Sequence, residues 1–374
     1  MKVKEKEKKG TKKAMLTALK ILIIAILIIA IVSTVFIEIV THPQKDTDAD
    51  LVYVGGTVVS DSIDYSEEST KKLQRNRIIK MMEMIWYFCA DGDAKKHESQ
   101  TPPDTESVKD IPYIDDGNIY HKLDVFYPKG LAPDEKLPVI IDIHGGGWMY
   151  GSKDLNEYYC RALADRGFVV FSISYRLVPD VTVKEQLQDV MQALNWISEN
   201  KSTYPCTEDI MLTGDSAGGM LASYSAVLLQ SPEMREVFGT VSADLDISAL
   251  LLTSPVPFMK EGAISVYTKL CWGEDYKKTD TYNYMNLDEI IDYAPNFPPT
   301  YLITSSGDSL AHSQTLKTAE LLKSKGIKTE LKDYEKYNGK SLQHVYSVLF
   351  PFDEPGSEMI DGAIDFYRQI INEK

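Results

Sequence analysis

Ile210-Met211-Leu212-Thr213-Gly214-Asp215-Ser216-Ala217-Gly218-Gly219 decides the fold of this chain. Ile210 to Thr213 is a short apolar, strand-like run, the stretch after Gly219 has helical character, and between them lies a G-x-S-x-G turn. A turn that passes directly from strand to helix forces its serine into a cramped backbone conformation, and small flanking residues let the chain pass without clashing. Ser216 Oγ is thereby presented as a nucleophile. About 70 residues upstream stands His144-Gly145-Gly146-Gly147-Trp148. A glycine run leaving a strand can turn backbone N–H groups toward a developing oxyanion where side chains would obstruct them. The two motifs together point to acyl transfer.

With the intervening Tyr175-Arg176-Leu177-Val178-Pro179-Asp180, these motifs make the chain resemble the hormone-sensitive-lipase-like esterases of the α/β-hydrolase fold, among them arylacetamide deacetylases and many microbial carboxylesterases. The resemblance runs from about Tyr120 to the C-terminus. It implies a central, mostly parallel sheet flanked by helices with a helical cap. It also implies an oxyanion hole formed by the main chain of Gly146, Gly147 and Ala217. Trp148 then either lines the acyl pocket or is a buried aromatic behind the glycine turn. Leu123-Asp124-Val125-Phe126-Tyr127-Pro128 is similar to the opening strand of acetyl and feruloyl esterases that act on carbohydrate, which leaves the substrate class divided.

In this fold the triad follows the chain order Ser, Asp or Glu, His, so the base lies after Ser216. His312 and His344 qualify. His312 falls in the first turn of an expected helix over 311–325 and reads as a solvated helix residue. His344 follows the last expected strand, Thr329 to Tyr334, where the resemblance places the base. The acid follows the preceding strand, Thr300 to Ser305, which ends at Gly307-Asp308. Asp308 is expected to hold the His344 imidazole in one tautomer and to stabilise the imidazolium. Three features depart from the family. Val345-Tyr346 stands where Gly-Phe is usual after the histidine, and residues 336–342 form a longer approach to it. Val178-Pro179-Asp180 replaces the commoner Ala-Pro-Glu, and Arg176 is expected to pack and pair.

The remaining pattern fits one large domain. Residues 138–143, 168–173, 249–253 and 300–304 are further apolar runs without helical spacing, as in parallel strands covered on both faces. Val183, Leu187, Val190, Met191, Leu194 and Ile197 form one apolar stripe at helical spacing. A closing helix over 358–372 repeats it with Ile360, Ala363, Ile364, Tyr367 and Ile371. The organisation expected is a basic tail (1–20), an anchor (21–40), a linker and N-terminal cap region (41–110), and a hydrolase domain (111–374) with a cap insertion near 256–296. Within the linker region, 64–89 reads as a helix and 91–109 as a loop.

Residues 21–37 contain no charge, and the run extends to Val40 with Glu38 its single interruption. Twenty residues at about 1.5 Å each span roughly 30 Å, the thickness of a bilayer's hydrocarbon core. Eight lysines precede this segment, so it reads as a signal anchor with the N-terminus cytoplasmic and the catalytic domain on the far side of the membrane. Setting aside those eight lysines and Glu5, Glu7 and Glu38 leaves 32 basic and 52 acidic residues in the rest of the chain. An acidic globule repels nucleic acid. No H-E-x-x-H, clustered Cys/His or G-x-G-x-x-G pattern occurs, and no metal or cofactor is implied. Cys89, Cys160, Cys206 and Cys271 lack motif spacing and read as small buried hydrophobes. The expectation is a membrane-anchored serine carboxylesterase hydrolysing short-acyl esters of small molecules or glycans through an acyl-enzyme on Ser216. A carbohydrate acetyl or feruloyl esterase and a non-catalytic binding module are the alternatives.

Overall fold

Five apolar runs and one more polar strand lie side by side and parallel. In the computed structural model the chain is described continuously over 99–373 except at 274, and before that at 20, 31, 33, 44–45, 52–54, 57–59, 89, 92–93 and 95–97. Eight strands form one sheet: β1 (Glu106–Pro112), β2 (Lys122–Tyr127), β3 (Leu137–Ile143), β4 (Val169–Ile173), β5 (Cys206–Asp215), β6 (Ile247–Thr253), β7 (Thr300–Ser305) and β8 (Thr329–Tyr334). Their order is β8-β7-β6-β5-β3-β4-β2-β1. β3 to β8 pair in parallel, whereas β2 is antiparallel to both β1 and β4. Every residue of β4 and β7 is buried, which is why these strands read as continuous apolar runs rather than alternating ones.

The helices cover the two faces. α1 (Glu157–Asp165) follows the glycine loop, and α2 (Val183–Asn200) starts at a capping box in which Thr182 and Glu185 satisfy each other's backbone N–H groups. All six residues of the expected stripe on α2 are buried. α3 (Ala217–Gln230) begins at the residue after Ser216 and is buried on all sides through Leu228, as expected for a helix walled in by sheet and neighbours. α4 (Pro232–Phe238), α5 (His312–Ser324) and α6 (Glu354–Asn372) complete the set used below. α6 starts four residues earlier than its periodicity indicates, because Pro355 is accommodated in a first turn. Ile370 is buried on α6, while Ile371 is only partly covered. Between β6 and β7, the insertion carries short helices at Gly262–Tyr267, Thr268–Trp272 and Leu287–Ile290, of which the second packs on α2 and on the first, and the third packs on α3.

The loop expected over 91–109 is corrected. Residues 92–93 and 95–97 are helical, and β1 begins at Glu106. β1 is an edge strand with nearly every side chain exposed, so it carries no apolar alternation to reveal it. In a separate compact unit, Gln44–Lys45, Val52–Val54 and Thr57–Val59 form a three-stranded antiparallel sheet in what reads as linker. The signal was present in β-branched runs either side of Gly55-Gly56. The expected anchor over 21–40 lies outside the described residues apart from Ile31 and Ser33, both helical, and the expected cap helix over 64–89 apart from Cys89. Among the described residues no helix is long and apolar enough to cross a membrane.

Candidate active site

β5 delivers the chain to Ser216 and α3 carries it away, with one residue to make the turn. Ser216 adopts φ 50°, ψ −116°, a conformation that costs a non-glycine residue about 1–3 kcal/mol unless its surroundings enforce it. They do. Its N–H donates to the Thr253 carbonyl on β6 at 2.9 Å, and its own carbonyl accepts from Met220 and Val256 at 3.3 Å. The small residues of the turn follow from contact, since a Cβ on Gly218 would stand 1.9 Å from the Ile143 carbonyl oxygen at the end of β3.

Asp308 occupies the turn after β7 and His344 the loop after β8, and the structure joins them: Nδ1 of His344 lies 2.8 Å from Oδ2 of Asp308. The other carboxylate oxygen accepts from the N–H groups of Leu310 (3.0 Å) and Ala311 (2.9 Å). Burial pushes the Asp308 pKa up. The hydrogen bond and charge of His344, with the Ala311 N–H and Ser254 hydroxyl, outweigh it and hold the carboxyl below its ordinary value. No hydrogen bond joins Ser216 to His344 among the described residues; such contacts commonly tighten only when substrate binds. Val345, in the place usual for glycine, takes the left-handed conformation (φ 49°, ψ 40°) that glycine adopts without strain. His312 is placed elsewhere, with its Nε2 3.0 Å from both carboxylate oxygens of Asp333 on β8.

The glycine loop is fixed carbonyl by carbonyl. In a trans peptide the C=O and the following N–H point in opposite directions, so pinning one aims the other. Tyr175 donates its hydroxyl to the His144 carbonyl at 2.7 Å, and the Gly145 N–H is turned onto Asp215 Oδ1 at 2.9 Å. The Gly145 carbonyl accepts from His144 Nδ1 (2.8 Å) and from Tyr175 (3.2 Å). The Gly146 carbonyl accepts from Met149 and Tyr150 at 3.0 and 3.1 Å. That leaves the N–H groups of Gly146 and Gly147, with that of Ala217 at the head of α3, unclaimed by any protein acceptor among the described residues. His144 is stacked face to face on Tyr175 and fully buried; desolvation lowers its pKa to about 4, so it is a neutral ring that donates from Nδ1. Trp148 is buried, with φ 65°, and its carbonyl is held by Val178 N–H and Gln186 Nε2.

Three buried polar residues lie behind Ser216, and of these only Asp215 stands in a sequence motif. Asn156, just before α1, donates its amide to Asp215 (2.9 Å) and to Asp142 on β3 (3.1 Å). Burial raises the pKa of Asp215 to about 6 against the pull of Asn156, His344 and the Gly145 N–H; burial beside Asp215 drives that of Asp142 well above its usual value. Arg176 pairs with Asp189 through Nε and Nη2 at 2.8 and 2.7 Å, as its surroundings in sequence suggest. The four cysteines are unpaired, and Cys160, Cys206 and Cys271 are buried.

A parallel sheet that throws a strained serine onto the corner before a buried helix, and sets a carboxylate-held imidazole on the loops of two neighbouring strands, places this chain among the carboxylic ester hydrolases of the α/β-hydrolase fold. The family described as alpha/beta hydrolase fold matches residues 140–339, more than half of the chain, and the chain belongs to that family in its hormone-sensitive-lipase-like branch. It is 31% identical over 160 residues to esterase LipQ of Mycobacterium tuberculosis, which covers 42% of this chain and 36% of LipQ. Carboxylesterase NlhH of the same species is 26% identical over 268 residues, covering 66% of this chain and 81% of NlhH. Among solved structures, an inhibited form of esterase B from Lactobacillus rhamnosis superposes with a TM-score of 0.75 at 27% identity, over 80% of this chain and 98% of that one.

Proposed function

We propose that this chain is a serine carboxylesterase that hydrolyses short-acyl esters and is held at a membrane by residues 21–40, its catalytic domain extracytoplasmic. The observation that carries the chemistry is the 2.8 Å hydrogen bond between His344 Nδ1 and Asp308 Oδ2. It fixes the tautomer that leaves Nε2 unprotonated and able to take the Ser216 proton. Ser216 Oγ attacks the ester carbonyl carbon, and its proton passes to His344 Nε2. The tetrahedral oxyanion is met by the N–H groups of Gly146, Gly147 and Ala217. On collapse the alcohol departs with the proton from His344, and water, activated by the same imidazole, releases the acid and restores Ser216. Asp308 remains ionised throughout and stabilises the imidazolium, in keeping with its lowered pKa.

Two features support a short acyl group. The insertion over 256–296 is built of short helices packed on the catalytic domain, in the manner of a cap, and one of the esterase B structures is of that enzyme inhibited by a tributyrin phosphonate. A closed acyl pocket, with Trp148 as one wall, gains about 0.8 kcal/mol per buried methylene until it is full, after which overpacking reverses the trend. The test is a p-nitrophenyl ester series from acetyl to palmitoyl on wild type and Ser216→Ala. kcat/KM is expected to peak between acetyl and hexanoyl and to vanish in the variant. A steady rise through palmitoyl overturns the acyl-length reading, and retained turnover by Ser216→Ala overturns the nucleophile. Acetylated xylan assayed alongside separates glycan-linked from small-molecule esters.

A further inference from the structure

Tyr150 ends the glycine loop, and its hydroxyl donates to Asp93 Oδ2 at 2.7 Å. Both residues are buried, and Asp93 stands among the helical residues 92–93 and 95–97, ahead of the sheet and 47 residues before the family match begins. We propose that Asp93 is a positioning residue for the oxyanion hole, acting through Tyr150. The inference rests on the reading of Gly146 and Gly147 as oxyanion donors.

The mechanical link is short. The Tyr150 and Met149 N–H groups hold the Gly146 carbonyl, and the Gly146–Gly147 peptide is rigid, so the position of Tyr150 sets the direction of the Gly147 N–H. The Tyr150 carbonyl also packs where a side chain on Gly146 would be, 2.0 Å from an ideal Cβ, which leaves the loop no slack on that side. Asp93 supplies a phenol-to-carboxylate hydrogen bond, one of the strong, charge-assisted kind, to the far end of the Tyr150 side chain. Its other oxygen is held by Lys96 Nζ at 2.8 Å. The same segment is fastened at two further points: His97 stacks on Tyr158 with centroids 4.9 Å apart, and Gln100 Nε2 donates to the Leu349 carbonyl, five residues beyond His344, at 2.8 Å. A segment outside the hydrolase motifs thus braces the loop that receives the oxyanion.

A bracing role predicts a loss confined to the transition state. In the full chain in detergent, Asp93→Ala and Tyr150→Phe should each lower kcat on p-nitrophenyl butyrate by about tenfold, the effect of weakening one oxyanion donor without removing it. KM should stay within about twofold, and the double variant should lose no more than either single one, because the two side chains act as one unit. Asp93→Asn, which keeps an acceptor for the tyrosine hydroxyl, should recover most of the rate. A trifluoromethyl ketone, which forms a tetrahedral adduct on serine with its oxygen in the hole, should bind more weakly by the factor lost from kcat. Lys328→Ala, which breaks an exposed ion pair with Glu373 just ahead of β8 and touches none of these contacts, should leave kcat and inhibitor affinity unchanged.

Unchanged kcat in Asp93→Ala and Tyr150→Phe overturns the proposal, as do additive losses or inhibitor affinity that fails to follow kcat. Should Asp93→Ala not fold, Asp93→Asn and Tyr150→Phe decide alone: a neutral Tyr150→Phe, or an Asp93→Asn no better than Tyr150→Phe, overturns it. Ser216→Ala run in parallel keeps the two readings apart. If it is inactive while Asp93 and Tyr150 variants are normal, the positioning role alone falls; if it is active, the serine reading falls and this one with it.

Discussion

Gly146→Ala is the substitution through which the oxyanion reading is most sharply tested. Gly146 has φ 100°, which an alanine adopts at a cost of about 1–3 kcal/mol. A second effect is specific to the site. An added Cβ would lie 2.0 Å from the Tyr150 carbonyl oxygen and 2.9 Å from its carbon, whereas a real Cβ keeps at least 3.0 Å away. One of the two backbones must move by about 1 Å, which is enough to cost on the order of 100-fold in rate when it misplaces a reacting or stabilising group. Because the Gly146 carbonyl is bonded to both Met149 and Tyr150 N–H groups, the movement carries the Gly146–Gly147 peptide with it. Displacing an oxyanion donor lowers kcat by about 10²–10³, or roughly 2.7–4 kcal/mol of transition-state stabilisation. Gly130→Ala is the matched control: φ is 74°, and nothing lies within 4 Å of the added Cβ. It should cost about 1 kcal/mol of stability through backbone strain while leaving kcat alone. The assay is kcat and KM on p-nitrophenyl butyrate with thermal unfolding of each variant. A folded Gly146→Ala enzyme within about threefold of wild-type kcat would refute the reasoning, since no transition-state group losing its place costs so little.

The two histidines after the nucleophile should separate cleanly: His344→Ala is expected to lower kcat by at least about 10³-fold and His312→Ala to leave it near wild type, with the reverse result moving the base to the Asp333 pair. His121 tests pH linkage. Its Nδ1 lies 2.7 Å from Asp116 and its Nε2 3.4 Å from Asp189; burial lowers its pKa, but the two carboxylates outweigh burial and raise it. A raised folded-state pKa stabilises fully below the unfolded value of about 6.5 and is lost as pH rises through the folded value. Chemical denaturation should therefore show His121→Gln costing on the order of 1–2 kcal/mol at pH about 5.5 and much less at pH about 9, and an equal cost at both would remove the charged pair from the account. For the proposed anchor, the full chain should resist high-salt extraction and dissolve in detergent, and protease added to intact cells should digest the hydrolase domain; release by salt, or protection after removal of any wall or outer membrane, would refute that topology.

Some of this molecule is written in short stretches of sequence and some is not, and the division follows the range of the interactions. The parallel strands are legible because burial on both faces removes the alternation a strand would otherwise show, as in Val169–Ile173 and Thr300–Ser305. α2 is legible because a capping box and a stripe of apolar residues at helical spacing are both local facts. Ser216 is legible because the small residues of its turn, Gly214 and Gly218, are local facts, although the contacts that enforce its strain come from Thr253 and Val256, distant in the chain. β1 was not, because an exposed edge strand is defined by its partner β2 and leaves no mark in its own composition.

His344 and Asp308 stand between these cases. Position after β8 and β7 nominates them, while their 2.8 Å hydrogen bond is made between residues 36 apart in the chain and exists only once the sheet has brought the two loops together. Asp215, Asn156, Tyr175 and Asp93 are harder still. Asn156 and Asp93 stand in no motif, the motifs around Asp215 and Tyr175 say nothing of their partners, and each of the four acquires its role by being buried with partners from a distant part of the chain. The fold class and the serine turn can be read from the chain alone, because a G-x-S-x-G run between strand and helix and the periodicity of the elements are local signals. Only the packed fold fixes which carbonyls of the glycine loop are pinned, and hence which N–H groups lack a protein acceptor among the described residues, because hydrogen bonds satisfied in a buried site depend on what is packed around them.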